Sequence, residues 1–248
     1  MYDFANILFS GPCNQRCPYC VGHEVRTELR RNNLTAFPIP GIDRFIDLVN
    51  TYTIPNVILT GTDSDPLLYK YDRELVHLLR QRLHSNAQLS VHTNGVLALT
   101  KIQVLNMCDR VSISFPSFNQ KTFYKMTGTR NMPDLAEIVR QSRVPVKVSC
   151  VVDRHNAGEI LEFMDRLISI GVRRLAFRKL FRAQHDLISL DHLPIITVYR
   201  QNPVYSYKGL EVAYWDFDRA SSTSINLFGD GTISDSYLLA RVDDHNII

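Results

Sequence analysis

The sequence has no long hydrophobic run, no large excess of either charge and few cysteines, and each shortage removes a class of protein. No apolar stretch approaches the roughly 20 residues that a membrane-spanning helix needs, and the chain does not open like a signal peptide. A setting in the reducing cytoplasm, away from membranes, is therefore expected. Lys and Arg number 28 against 25 Asp and Glu, a net charge of +3. That balance is too even to argue for nucleic-acid binding on electrostatic grounds. The five cysteines are an odd count in a chain of 248 residues. Small secreted domains staple themselves with disulfides because they cannot bury enough core, and a chain of this length has no such need. There is no internal repeat, and no low-complexity stretch is long enough to separate domains.

What the chain does have is a regular alternation of strand-like and helix-like runs. Strands are predicted at Ala5–Ser10, Asn56–Thr60, Gln88–His92, Arg110–Phe115, Val144–Val152 and Arg174–Phe177. Between them, helical spacing is read at Ile42–Tyr52, Arg73–Leu83, Lys101–Met107, Asp134–Gln141 and Glu159–Ile170. Strands alternating with helices of this length predict an α/β protein with a parallel sheet. Six such units fit a partial (β/α)6 TIM-like barrel. The third to fifth strands also carry polar stripes: Gln88, Ser90, His92 and Asn94; Ser112 and Ser114; Lys147, Ser149 and Asp153. Successive strand residues face opposite ways, so each stripe lies on one face. A polar lumen holding ligand and water accounts for them, and so would an open, one-sided sheet.

Directly after the first strand comes Cys13-Asn-Gln-Arg-Cys17-Pro-Tyr19-Cys20. Three thiols this close are suited to metal, and they leave a four-coordinate site one ligand short. His23 would complete a Cys3His zinc site on paper, making the chain a zinc-binding module. The Cys-x3-Cys-x2-Cys spacing, with an aromatic residue before the last cysteine, resembles the signature of the radical S-adenosylmethionine (SAM) enzymes. The resemblance covers roughly Ala5 to Lys179 and is closest in pattern to the SPASM-like branch related to the molybdenum-cofactor enzyme. It implies the partial barrel independently, and a single 4Fe–4S cluster held by Cys13, Cys17 and Cys20. SAM would chelate the open iron, and Tyr19 would pack beside the adenine.

The same resemblance assigns further residues by position, at the carboxyl ends of the strands where ligands of α/β folds sit. Gly61-Thr62-Asp63-Ser64-Asp65-Pro66 stands where the family carries Gly-Gly-Glu-Pro. The match is partial, with Asp63 or Asp65 in place of the acidic contact alongside the Thr62 carbonyl. A plain turn also explains the run. Asn94 lies in a Thr-Asn-Gly that many members share, Ser112 and Ser114 match contacts to SAM ribose or carboxylate, and Val151 would touch adenine. Asp153 and Asn156 read equally well as helix caps. Arg178 would reach a carboxylate in bidentate fashion, or stand solvated. Two basic groups are candidates for partners. Arg26, Arg30 and Arg31 would dock a flavodoxin or ferredoxin as electron donor, and Arg173, Arg174, Arg178, Lys179 and Arg182 would hold an anionic substrate. Cys108 and Cys150 read as core.

The expected division is a barrel core over 1–185 and a β-rich extension over 186–248. Ile225 to Ile233 reads as a hairpin with a Gly-rich turn, closing the barrel. Related enzymes place auxiliary-cluster cysteines after such a hairpin; here the stretch is Ser234-Asp235-Ser236-Tyr237, with no cysteine beyond Cys150. The function implied is reductive cleavage of SAM, with hydrogen abstraction from a small metabolite or a nucleoside-like molecule. Peptide or protein modification is the alternative.

Overall fold

The computed structural model describes residues 2–236; Tyr237 and the rest of the C-terminal segment lie outside the described residues. Strands β1 (Phe4–Phe9), β2 (Asn56–Gly61), β3 (Gln88–Thr93), β4 (Arg110–Ser114), β5 (Val146–Val151) and β6 (Arg174–Arg178) follow the predicted runs within a residue or two. They pair in parallel, in chain order. β1 is buried along nearly its whole length, as a parallel strand covered on both faces must be.

The helices form where an apolar stripe recurs at helical spacing. In α1 (Ile42–Thr51) the stripe is Ile42, Phe45, Ile46 and Val49, and all four are buried. α2 (Asp72–Arg82) buries Leu75, Val76 and Leu79, with acids in its first turn and arginines in its last, matching the helix dipole. α3 (Ile102–Leu105) is shorter than its predicted run. One helix, α4 (Gln120–Thr127), escapes the periodicity argument. The Asn119 side chain caps it, accepting from the Lys121 and Thr122 amides at 2.9 and 3.3 Å, and Gly128 ends it at φ +69°. Those caps were legible; its apolar stripe is too short to stand out. α5 (Leu135–Gln141) and α6 (Ile160–Ser169) complete the set. The helix stripes and the apolar strand faces (Leu89, Val91, Val111, Ile113, Val148, Cys150) make one continuous core, which includes Cys108.

Beyond β6 the aromatic-rich segment forms a meander of β7 (Ile195–Tyr199), β8 (Asn202–Tyr207) and β9 (Leu210–Trp215). β9 joins β6 in parallel, and β10 (Ser224–Leu227) joins β1 in parallel on the other side. β11 (Ile233–Ser234) pairs antiparallel with β10. The edges of a six-stranded parallel sheet expose unpaired backbone groups, and these added strands satisfy them. The full order is β11-β10-β1-β2-β3-β4-β5-β6-β9-β8-β7, an open mixed sheet in which no pairing among the described residues joins β11 to β7. No described helix is long and apolar enough to cross a membrane.

Phe45 is fully buried in this core. Phe45→Ala is expected to lower unfolding stability by about 3–5 kcal/mol, read as a lower urea midpoint at unchanged slope.

Candidate active site

The cysteine loop leaves β1 through a set of buried polar ties. Ser10 donates from its amide to Asn33 Oδ1 at 3.0 Å, and Asn33 Nδ2 donates to the Leu8 carbonyl at 3.1 Å. The Ser10 hydroxyl donates to Asp63 Oδ1 at 2.6 Å, the Gly11 amide reaches the same oxygen at 3.3 Å, and Arg30 lies 3.7 Å from Asp63 Oδ2. Farther on, Asn94 Nδ2 donates to Asn14 Oδ1 at 2.6 Å, and the Arg16 amide donates to the Thr127 carbonyl at 2.7 Å. The loop is thus anchored to the exits of β1, β2 and β3 and to the end of α4.

Within the loop, Cys13 is exposed, and Cys17 and Cys20 are half-buried. Burial pushes all three thiols up, Cys17 to about 12, with the neighbouring Cys20 and Cys13 sulfurs adding to the effect. Three thiols that resist ionisation side by side become joint ligands only when a cation replaces their protons. The amide nitrogens of the Asn14 and Gln15 side chains and the Thr62 hydroxyl are buried without a hydrogen-bond partner. These orphaned groups ring the cysteines and fit a bound polar group. Among the described residues, no three His, Cys, Asp or Glu side chains already surround one metal-sized point. His23, exposed on a short 3-10 turn over Val21–Glu24, is not gathered with them.

The Thr62 carbonyl lies against this loop, 4.0 Å from Cys20 Sγ. Gly22 makes the approach possible, because a Cβ there would stand 2.0 Å from the Thr62 oxygen. Gly61 is needed for the turn itself, since its Cβ would meet the Ser64 carbonyl at 1.7 Å. The two acids behind the turn differ from a ligand-facing pair. Asp63 is taken up by Ser10, Gly11 and Arg30. Asp65 faces inward and is 3% exposed. Its carboxylate accepts from the Thr93 hydroxyl at 2.8 Å, the Asn94 amide at 2.6 Å and the Leu67 amide at 2.9 Å. Burial nevertheless pushes its pKa up, against those donors.

Tyr19 is half-buried, and its phenol is pushed well up by burial, then by Cys17, Cys150 and Asp153, which places it between the loop and the end of β5. Ser112 is buried on β4 and Ser114 is exposed at its end. Val151 ends β5, its carbonyl accepting from Asn156 Nδ2 at 2.9 Å, so Asn156 ties β5 to its own loop rather than capping by side chain. Arg178 ends β6 with its guanidinium 5.8 Å from the Phe217 ring centre. The structure thus joins Thr62, Asp63 and Asn94 to the cysteine loop directly, while Ser112, Ser114, Val151 and Arg178 stand apart from it on neighbouring strands. Of the basic groups, Arg30 is folded onto Asp63, Arg174 pairs with Glu211, Lys179 with Asp216, and Arg182 with Glu24. Asn33 and the Thr127–Gly128 turn were not anticipated. Gly128 after a capped helix was the available signal, and Asn33 carried none.

Asp65→Ala would strand two amides and a hydroxyl at the strand exits. It is expected to cost at least about 2 kcal/mol in urea unfolding, a loss that Asp153→Ala at the end of β5 should not reproduce.

Three comparisons bear on this geometry. The family model described as the radical SAM superfamily matches residues 7–175. A probable GTP 3',8-cyclase of Saccharolobus islandicus is 28% identical over 134 residues, covering 52% of this chain and 42% of that protein. The GTP 3',8-cyclase of Limosilactobacillus fermentum is 23% identical over 178 residues, covering 66% of this chain and 50% of that one. This chain therefore spans half or less of the length of these relatives. Among solved structures, Streptococcus suis SuiB superposes with a TM-score of 0.67 at 12% identity, covering 99% of this chain and 63% of that one. The anSMEcpe structure with bound AdoMet gives 0.58 at 15% identity, covering 95% and 75%. At such identities the structures speak for the shared fold alone. The family match, spanning well over half of the chain, carries more: this chain belongs to the radical SAM superfamily, enzymes that work with a 4Fe–4S cluster and S-adenosylmethionine.

Proposed function

We propose that Cys13, Cys17 and Cys20 hold the cluster of this chain, and that it acts on a small, nucleoside-like molecule. The observation that carries the reading is the cysteine loop, pinned at the exit of β1 with the Thr62 carbonyl beside Cys20 and orphaned polar groups around it. When bound, the cluster and SAM supply a 5'-deoxyadenosyl radical, which takes hydrogen from an unactivated carbon of the substrate. The protein's role is placement. The Thr62 carbonyl accepts from the SAM amino group, a role that neither Asp63 nor Asp65 is free to take. Tyr19 and Val151 flank the adenine, Ser112 and Ser114 take the ribose or carboxylate, and Arg178 takes a carboxylate. Gly61 and Gly22 keep the turn close, and Asn94 holds the loop through Asn14.

The small-molecule reading is supported by the sequence relatives, whose names give GTP as their substrate. Peptide modification is the second reading, supported by the fold shared with SuiB, which was solved with its precursor peptide SuiA. That likeness is one of fold, so it ranks second. An electron must reach the cluster from outside, and Arg26 and Arg31 flank the loop where an acidic flavodoxin or ferredoxin would dock. Five free cysteines suit a reducing cytoplasm.

Anaerobic reconstitution with iron and sulfide is expected to give brown protein with about four irons per chain. Dithionite and SAM should then yield 5'-deoxyadenosine, and Cys17→Ala should abolish both colour and product. Colourless protein holding stoichiometric zinc would overturn the proposal.

A further inference from the structure

Gln15 stands between the first two cysteines of the loop, and the fold hides it. It is 9% exposed, whereas Asn14 before it is half-buried and Arg16 after it is exposed. Its side-chain Nε2 is buried with no hydrogen-bond partner among the described residues. An amide taken out of water in this way is costly unless something accepts from it. The backbone next to Gln15 is clamped, so the residue does not simply swing out. The Arg16 amide donates to the Thr127 carbonyl at 2.7 Å, and a Cβ on Gly128 would stand 2.9 Å from the Arg16 oxygen.

What the Gln15 carboxamide faces is sulfur. Cys17 Sγ lies 3.5 Å from Gln15 Oε1, and the Gln15 main-chain amide donates to Cys13 Sγ at 3.4 Å. While Cys17 is a thiol, its S–H donates to Oε1. A cysteine that ligates a metal has lost that proton, and its sulfur only accepts. Oε1 would then confront a thiolate, lone pair against lone pair, with Nε2 still unanswered. A half-turn of the terminal amide exchanges oxygen for nitrogen at nearly constant shape and answers both. Asn14 lacks this freedom. Its Oδ1 accepts from Asn94 Nδ2 at 2.6 Å, and Asn94 Oδ1 accepts from the Val96 amide at 3.1 Å, which fixes both amides in one sense.

We propose that Gln15 tunes the cluster: Nε2 donates to Cys17 Sγ and the main-chain amide to Cys13 Sγ, raising the potential at which the cluster accepts an electron. Reduction adds one electron, delivered by an external reductant, and no proton. The negative charge carried by the sulfurs grows, so an N–H aimed at one of them holds the reduced form more strongly than the oxidised form. This inference rests on the reading that Cys13, Cys17 and Cys20 hold the 4Fe–4S cluster.

The test is an anaerobic redox titration of the reconstituted protein, with dithionite as reductant and the paramagnetic signal of the reduced cluster as readout. Gln15→Met keeps the length and burial of the side chain and removes the donor. It is expected to lower the equilibrium constant for reduction about fivefold, the scale of one ordinary hydrogen bond. For one electron that is a potential lower by roughly 40 mV. Gln15→Glu, which sets acceptors against the sulfur, should lower it further. A second measurement uses wild type alone and stands whether or not either variant keeps its cluster. Protein labelled with nitrogen-15 at the glutamine side-chain amides should show a nitrogen-15 coupling to the reduced cluster in pulsed paramagnetic resonance, since Gln15 is the one glutamine in the loop. Brown wild type without that coupling, or a Gln15→Met potential equal to or above that of wild type, would overturn this inference and leave the cluster in place. Colourless wild type would overturn the cluster reading and this inference with it.

Discussion

Two carboxylates at the carboxyl end of the sheet hold the site together. Asp63 accepts from Ser10 and Gly11 and so binds the exit of β2 to the exit of β1. Asp65 accepts from Leu67, Thr93 and Asn94 and binds β2 to β3. In a parallel sheet every strand delivers its chain to the same end, and the exits have no ladder of their own to keep them in place. A carboxylate that accepts several buried N–H and O–H groups supplies that order, and here it does so at the expense of being available to a ligand. The cysteine loop inherits its position from those exits, through Ser10, through Asn94 and Asn14, and through the Thr62 carbonyl that Gly22 admits. Loosening either acid would move the sulfurs relative to the strands around them.

The other end of the polar face has the opposite character. The strand exits are rich in internal acceptors, whereas among the described residues the charges that bear on Lys147, farther back on the same face, are those of Arg178, Arg110 and Arg174.

The alternation of strands and helices was legible because burial on one face writes a period into neighbouring residues. Phe45 and Val49 in α1, or Leu89 and Val91 in β3, declare their elements from spacing alone. The meander of β7 to β9 was not legible in this way. β7 is exposed along its whole length, and β8 and β9 mix tyrosines with apolar residues on both faces, so no face alternates cleanly. Their aromatic content was apparent, and that it would extend the parallel sheet at β6 was not. Likewise Asp63 and Asp65 stood out as acids near a turn, but two acids two residues apart look alike until the chain around them is folded.

The sequence by itself determined the chemistry-bearing loop and the rhythm of the barrel, since both are carried by residues close together in the chain. Three thiols within eight positions and a repeat of strand and helix do not depend on anything distant. Only the tertiary structure decided that both Asp63 and Asp65 are taken up by the fold, and that, among the described residues, arginines rather than acids bear on Lys147. Those outcomes are set by register between strands far apart in sequence and by desolvation, and neither exists until the sheet has formed.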